Sequence, residues 1–144
     1  MAKRYRLGGI NKAMNGLFRL LTRLGLGAKY RHILTVRGRK TGKALSTPVD
    51  VMEMNGRLFL AAPYGIVSWV KNVRATQEVT LSRGGRTVRG RAVELSPEES
   101  APVLRKYLEE VAVTRPYFDV TLESTDKEFA AQSARHPAFE VIRE

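Results

Sequence analysis

The residues best suited to binding an anion lie in the segment GRKTGK, residues 38–43. Glycines at both 38 and 42 let the backbone turn tightly and present N–H groups. Four cations crowd the same short stretch: Arg37, Arg39, Lys40 and Lys43. A P-loop ATPase is excluded, because its Gly-Lys-Thr run needs a glycine five positions earlier, and here Lys40 follows an arginine. The pattern predicts an anion site on a turn; the alternative is a basic turn that is only solvated.

A second segment, AAPYGIVSWVKNVR at residues 61–74, contains the only tryptophan, Trp69, and the neutral amide of Asn72. The two lie three residues apart, so a helix places them on one face. A strand end that supplies small residues, followed by this helix, predicts one wall of a flat aromatic pocket. The alternative is that Trp69 packs in the core.

Covalent and acid–base chemistry has few candidates. The chain has no cysteine, and two histidines are too few for a histidine-based metal centre, so we expect no metal site. Ser68 lacks the glycine spacing of a nucleophile elbow. We expect His32 to be structural and His136 to lie in a polar loop before Pro137, and neither has an evident partner. A pocket without a catalytic dyad is typical of proteins whose cofactor performs the chemistry.

Positive charge is concentrated in the first third of the chain. Residues 1–49 contain twelve Lys or Arg and no acid, whereas residues 50–144 contain thirteen bases and fourteen acids, which accounts for the net charge of +11 as +12 and −1. This asymmetry predicts contact with an anionic partner: nucleic acid, an acidic lipid surface or a phosphorylated small molecule.

The elements that must position these residues follow from hydropathy patterns and turn signals. Strands are predicted at residues 32–37, 46–54, 57–62, 78–82, 86–95 and 139–142. A short helix is predicted over residues 66–73, and a weaker one over 125–133. Another helix starts at the Ser96, Pro97, Glu99 capping signal and is expected to end at Arg115 and Pro116.

An amphipathic helix is predicted over residues 10–24, within a basic N-terminal segment of residues 1–28. Its apolar stripe suits packing on the domain's own core. The basic polar face also suits weak peripheral contact with an anionic membrane, which is the alternative.

One domain is expected over residues 1–144. A content of 43% hydrophobic and 27% charged residues is ordinary for a globular chain. Hairpin-connected strands with flanking helices predict an α+β fold built on a small antiparallel barrel of about six strands. No apolar run approaches the roughly 20 residues of a membrane span, and no secretory signal is evident, so we expect a cytoplasmic protein.

The order of LTVRGRKTGKALSTPV, NGRLFLAAPYG, WVKNVRA and EVTL before a Gly-Gly hairpin resembles the deazaflavin-dependent reductases that use coenzyme F420. This nitroreductase-like group is best known from actinobacteria, and the resemblance spans residues 31–94. It implies the split β-barrel shared with FMN-binding oxidoreductases. It also implies coenzyme F420, an 8-hydroxy-5-deazaflavin, as the cofactor, with FMN as the alternative.

Carried over residue by residue, the resemblance implies three groups of contacts. The phosphate and acidic tail of the cofactor would lie against Arg39, Lys40, Thr41 and Gly42. The deazaflavin ring would be bordered by Ala61, Ala62, Pro63 and Tyr64, and the same pocket would be closed by Ser68, Trp69, Lys71 and Asn72. Tyr117, within RPYFDV, matches an aromatic on the substrate side and is the candidate for returning a proton.

Two departures from the family pattern affect the expected substrate. Nitroimidazole-activating relatives carry a Ser-Lys-Gly-Gly stretch where this chain has a shorter loop containing Pro63 and Tyr64, which removes one lysine. They carry an arginine where this chain has Leu45. We therefore expect Arg37 and Lys43 to contribute more to cofactor binding.

The chemistry that the resemblance implies is hydride transfer from C5 of the reduced deazaflavin to an electron-poor small molecule. Activated C=C bonds of enones or lactones are the expected acceptors, with quinones and nitro compounds as further candidates. The protein would position the acceptor and stabilise developing negative charge.

Two other classes of function compete with this hypothesis. A nucleic-acid-binding barrel would explain the isoelectric point of 10.4. Such a protein should place aromatics among its cations, yet residues 1–49 contain only Tyr5, Phe18 and Tyr30, so no nucleic-acid partner is expected. A non-catalytic carrier of a cofactor or lipid on the same barrel is the other alternative. The sequence carries no signal for an oligomeric state.

Overall fold

Residues 31–144, which the computed structural model describes, contain six strands, three α-helices and one short 3-10 helix. The strands are β1 (Arg31–Arg37), β2 (Ala44–Met54), β3 (Arg57–Ala61), β4 (Glu78–Arg83), β5 (Arg86–Glu94) and β6 (Ala138–Arg143). The α-helices are α1 (Ser68–Thr76), α2 (Pro97–Glu110) and α3 (Asp126–Gln132), and the 3-10 helix spans Ala112–Tyr117. The predicted helix over residues 10–24 lies outside the described residues.

Tight turns connect β2 to β3 and β4 to β5. Asn55 and Gly56 have φ values of 53° and 74°, and Gly84 and Gly85 have φ values of 53° and 83°. Two successive left-handed residues form the turn whose twist matches that of an antiparallel hairpin. Both hairpins were predicted from these residue pairs and are confirmed.

The six strands close into one antiparallel barrel in the order β1-β2-β3-β6-β5-β4. Strand β6, from the end of the chain, lies between β3 and β5, and β1 pairs with β4 to close the ring. The predicted α+β fold with a six-stranded split β-barrel is confirmed.

Two buried clusters lie on either side of the barrel wall. The interior cluster is formed by alternate strand residues such as Leu34, Leu60 and Phe139. The outer cluster packs α2 and α3 on β2 and β3, and includes Tyr107 and Phe129. The helices therefore cover one side of the barrel and hold the segment between them against it.

Helix α2 begins as its sequence predicts. The Ser96 hydroxyl accepts a hydrogen bond from the Glu99 N–H at 3.1 Å, and the Glu99 carboxylate accepts one from the Ser96 N–H at 3.0 Å. The predicted end is wrong, because α2 ends at Glu110 and the 3-10 helix follows. Arg115 is a capping residue here, since its guanidinium donates to the carbonyls of Leu108 and Glu109, which lie in the last turn of α2.

Within residues 31–144, none of the helices is long and apolar enough to cross a membrane.

Candidate cofactor and substrate site

The basic turn, residues 38–43 between β1 and β2, is closed by its own backbone. The Gly38 N–H donates to the Lys43 carbonyl, and the Gly42 N–H donates to the Gly38 carbonyl, each at 2.8 Å. Gly42 has a φ of 71°, a conformation that favours glycine. Thr41 accepts a hydrogen bond from the Lys43 N–H at 3.3 Å. These bonds give the turn a defined shape from which Arg39 and Lys40 extend.

Asn72 of α1 ties the basic turn to the helix. Its side-chain oxygen accepts from the Arg39 backbone N–H at 3.0 Å and from the Arg39 guanidinium at 2.8 Å. Asn72 is 2% exposed, so it acts from beneath the turn rather than from its surface. Two residues that the sequence placed in separate parts of the site are therefore in direct contact.

Four cations of the predicted site region have no acidic partner in residues 31–144. No carboxylate of that range lies within 4.0 Å of Arg39, Lys40, Lys43 or Lys71. Arg37 differs, because it lies 4.0 Å from Glu78 and donates to the Gly42 carbonyl at 3.3 Å. The side chains available to an external anion are therefore those on the turn and on α1.

The end of β3 leads into a tightly bonded loop. The Ala62 N–H donates to the Pro137 carbonyl at 3.0 Å, and the Ala62 carbonyl accepts from the Gly65 N–H at 3.2 Å. Ala61 and Ala62 are 2% and 1% exposed, and Pro63 is also buried. These three residues form the buried side of the loop, and its exposed side chains include Tyr64 and Ile66.

The first turn of α1 combines an exposed and a packed residue. Ser68 and Lys71 are exposed, whereas Trp69 is half-buried against the interior cluster, with its ring 5.8 Å from that of Phe139. Trp69 therefore packs mainly against the core, as the alternative interpretation predicted, and part of its side chain stays exposed.

Tyr64 and Tyr117 meet although 53 residues separate them. Their ring centroids are 5.0 Å apart at an interplanar angle of 87°, an edge-to-face contact. Tyr64 comes from the loop after β3 and Tyr117 from the end of the 3-10 helix. The structure therefore brings the residue predicted to border the ring against the residue predicted to cover the substrate side.

His136 was not identified as part of this region, and the expectation of an unpartnered histidine in a polar loop is wrong. The side chain is 5% exposed and lies against Phe118, with ring centroids 4.1 Å apart. Its Nδ1 is 3.0 Å from the Ala62 carbonyl oxygen. Burial lowers the pKa of His136, and hydrogen bonds to the backbones of Ala62 and Tyr117 oppose that shift. The sequence carries no local signal for these contacts, because Ala62 is 74 residues away.

Comparison with known families identifies the chain. The profile of the F420H(2)-dependent quinone reductase family matches residues 15–131. The chain belongs to this family. It is a coenzyme F420-dependent oxidoreductase, and F420 is its cofactor. A search of curated proteins found no significant match.

Solved structures similar to this F420H(2)-dependent reductase share its fold. An F420-H2 dependent reductase is 24% identical, with a TM-score of 0.57 over 79% of this chain and 95% of that one. A protein solved as a domain-swapped dimer is 21% identical, with a TM-score of 0.59 over 92% and 96% of the two chains. An FAD-binding protein from Mesorhizobium loti is 16% identical, with a TM-score of 0.53 over 96% and 91%.

The residues of this family member fit such a cofactor. The anionic tail that F420 carries needs cations free of acidic partners, and the basic turn offers Arg39, Lys40 and Lys43 in that state within the described range. A flat ring needs an exposed aromatic edge, which Tyr64 supplies at 38% exposure. When bound, reduced F420 supplies a hydride.

Proposed function

We propose that this reductase transfers a hydride from reduced F420 to the activated C=C bond of a flat enone, lactone or quinone, held beside Tyr64 and Tyr117. The observation that carries the proposal is the basic turn, whose cations lack acidic partners and whose Arg39 is fixed by buried Asn72. An enzyme that binds a cofactor by its anionic tail needs such a preset cluster, because cations that are already paired must first lose their partners.

The loop and the 3-10 helix support the assignment of the acceptor side. Tyr64 and Tyr117 present a half-exposed aromatic pair, which suits a flat conjugated molecule. Accepting a hydride at the β-carbon of an enone leaves negative charge on the carbonyl oxygen, and a proton must then reach the α-carbon. The Tyr117 hydroxyl, or solvent beside it, is the proposed proton donor.

A preference for C=C bonds over nitro groups follows from the short loop. This loop holds Pro63 and Tyr64 in place of a lysine-containing stretch, so it supplies no cation to a nitro oxygen or a phosphate. The family description names quinones, which are conjugated enediones and fall within the proposed class.

Nucleic-acid binding is the main alternative, and the described residues give it little support. Stacking of bases requires exposed aromatic side chains beside cations. Within residues 31–144, Tyr64 is the one tyrosine, tryptophan or phenylalanine that is exposed rather than buried or half-buried. A carrier without turnover is the other alternative, and the experiment below distinguishes it.

The test compares Lys40→Ala with Arg86→Ala. Both remove one exposed cation, but Arg86 is the first residue of β5, next to the β4–β5 turn, which lies beyond the opposite end of β1. The seven residues of β1 rise about 20 Å in total. We expect Lys40→Ala to weaken F420 binding by about 1 to 3 kcal/mol, the scale of a hydrogen bond to a charged group, and by less at high salt. Fluorescence titration gives both affinities, and Arg86→Ala should match the wild type.

Turnover is then measured by the loss of reduced F420 with a cyclohexenone, a benzoquinone and a nitroimidazole. We expect the enone or the quinone to be reduced faster than the nitro compound. Tight F420 binding with no turnover of any acceptor would favour the carrier. Equal affinities for the two alanine variants would show that the basic turn does not bind the tail.

A further inference from the structure

His136 bridges the two segments that carry the tyrosine pair. On one side its Nδ1 lies 3.0 Å from the carbonyl of Ala62, two residues before Tyr64. On the other side the ring packs against Phe118, the residue after Tyr117, with ring centroids 4.1 Å apart, and the Tyr117 backbone is close enough to raise the pKa of the ring. A carbonyl can only accept, so Nδ1 is the protonated nitrogen in the Ala62 contact.

The segment around His136 is itself fixed on both sides. The His136 N–H donates to the carbonyl of Gln132 at 2.8 Å, and the buried Gln132 side chain accepts from the Asp119 N–H at 3.2 Å. Arg135 forms an ion pair with Asp119. The next residue, Pro137, accepts the Ala62 N–H. Because the backbone around His136 is fixed, few rotamers are available to its ring. The residues that contact the ring are therefore held at fixed distances from it.

We propose that His136 is a positioning residue that sets the spacing of Tyr64 and Tyr117 and thereby determines which acceptors the reductase accepts. The inference rests on the proposed function, since it assigns the tyrosine pair to the acceptor side. Each tyrosine belongs to a segment that contacts the same imidazole, one through the Ala62 carbonyl and the other through the Phe118 ring, so loss of the imidazole lets the two segments move independently. Reaction rates fall steeply when the reacting atoms are misplaced by as little as an ångström.

The test uses two substitutions at His136 and one elsewhere. His136→Phe keeps a flat ring against Phe118 but removes both ring nitrogens. His136→Asn keeps a donor close to the position of Nδ1 and can restore the bond to the Ala62 carbonyl. Leu81→Val is the control for lost stability, because Leu81 is buried inside the barrel on β4, away from both segments.

The first measurement is hydrogen exchange in the protein without cofactor. We expect His136→Phe to accelerate exchange in residues 62–67 and in residues 112–118 together, with little change in residues 38–43. His136→Asn should restore protection in residues 62–67. Unchanged exchange in both segments of His136→Phe would overturn the proposal.

The second measurement is acceptor kinetics in the loaded enzyme. We expect His136→Phe to lower kcat/KM for the acceptor by about 10- to 100-fold, mainly through KM, while the Kd for F420 stays within about threefold. His136→Asn should recover part of the loss, and Leu81→Val should show none of it. A loss in Leu81→Val equal to that in His136→Phe would reduce the role of His136 to stability alone and refute the proposal.

The two hypotheses fail in different ways. Absence of turnover in the wild type refutes the proposed function and, with it, the role of His136 in acceptor choice. The exchange measurement still decides whether His136 couples the two tyrosine segments, because it needs neither cofactor nor acceptor.

Discussion

The imidazole of His136 is held in an environment that disfavours its charged form. Burial is the largest cause of its lowered pKa, and the nearby cation Arg135 acts in the same direction. The backbone hydrogen bonds to Ala62 and Tyr117, and the carboxylate of Asp119, act against it. Because burial is the largest cause, the ring favours its neutral form, in which the one N–H proton lies on Nδ1 and faces the Ala62 carbonyl.

This shift predicts how stability depends on pH. Because the folded-state pKa lies below the unfolded value of 6.5, the unfolded chain binds more protons between the two values. The free energy of unfolding contributed by His136 is thus fully present above pH 6.5 and is lost as the pH falls through the folded-state pKa. Denaturant unfolding of the wild type and His136→Asn at pH 7.5 and pH 5 measures this, and the wild type should lose more.

Carboxylates with lowered pKa values do not affect the comparison between the wild type and His136→Asn. Glu99, Glu128 and Glu140 lose their contribution to stability as the pH falls below 4.5, the ordinary pKa of a glutamate, and they are present in both proteins. Equal losses in the wild type and the asparagine variant would show that His136 does not titrate differently on unfolding.

At the scale of elements, the basic turn and α1 act as one unit through Asn72. A single amide oxygen accepts two hydrogen bonds from Arg39, so removing it leaves two donors near the surface of the turn unsatisfied. Asn72 lies in the middle of α1, so its bonds to Arg39 hold the first turn of that helix beside the basic turn.

This coupling predicts non-additive effects on cofactor binding. Asn72→Ala and Arg39→Ala should each raise the Kd for F420 by roughly 5- to 30-fold, about 1 to 2 kcal/mol. The double variant should be little weaker than either single one, because both remove the same arrangement. Fluorescence titration with F420 of the wild type, the two single variants and the double variant completes this double-mutant cycle. Arg74→Ala, on the same helix but paired with Glu94, is the matched control.

Additive losses would contradict the coupling. They would show that Asn72 affects the cofactor independently of Arg39.

At the scale of the whole molecule, closure of the barrel depends on a close approach between β5 and β6. Gly90 pairs with Arg143, and a Cβ added at Gly90 would lie 2.1 Å from the carbonyl oxygen of Ile142. That oxygen belongs to the backbone, so no side-chain rotation can relieve the clash. Glycine is therefore required beside the end of the last strand, where β6 closes against β5.

Gly90→Ala should destabilise the protein by at least about 2 kcal/mol, within the range for overpacking at a closely packed site. Thr87→Ala, at an exposed position of the same strand, should leave the melting temperature nearly unchanged. Thermal unfolding of the two variants measures the difference. Equal melting temperatures would mean that β5 and β6 separate easily and that barrel closure does not depend on this contact.

The sequence by itself determined those features that depend on neighbouring residues. The Asn55-Gly56 turn, the Ser96 capping box and the basic turn were all predicted correctly as local structures, since the atoms involved lie within a few residues of one another. Membership of Arg39, Tyr64 and Tyr117 in one cofactor and substrate site came from family resemblance and stays a prediction.

Only the tertiary structure decided which distant segments meet. Placement of β6 between β3 and β5 brings His136 to Ala62, and packing of α1 on the barrel brings Asn72 to Arg39. The end of α2 was misplaced for the same reason, because it depends on where the Arg115 guanidinium folds back. Such contacts follow from the closure of the whole barrel, and no local pattern of residue types records which partner a buried polar group will find.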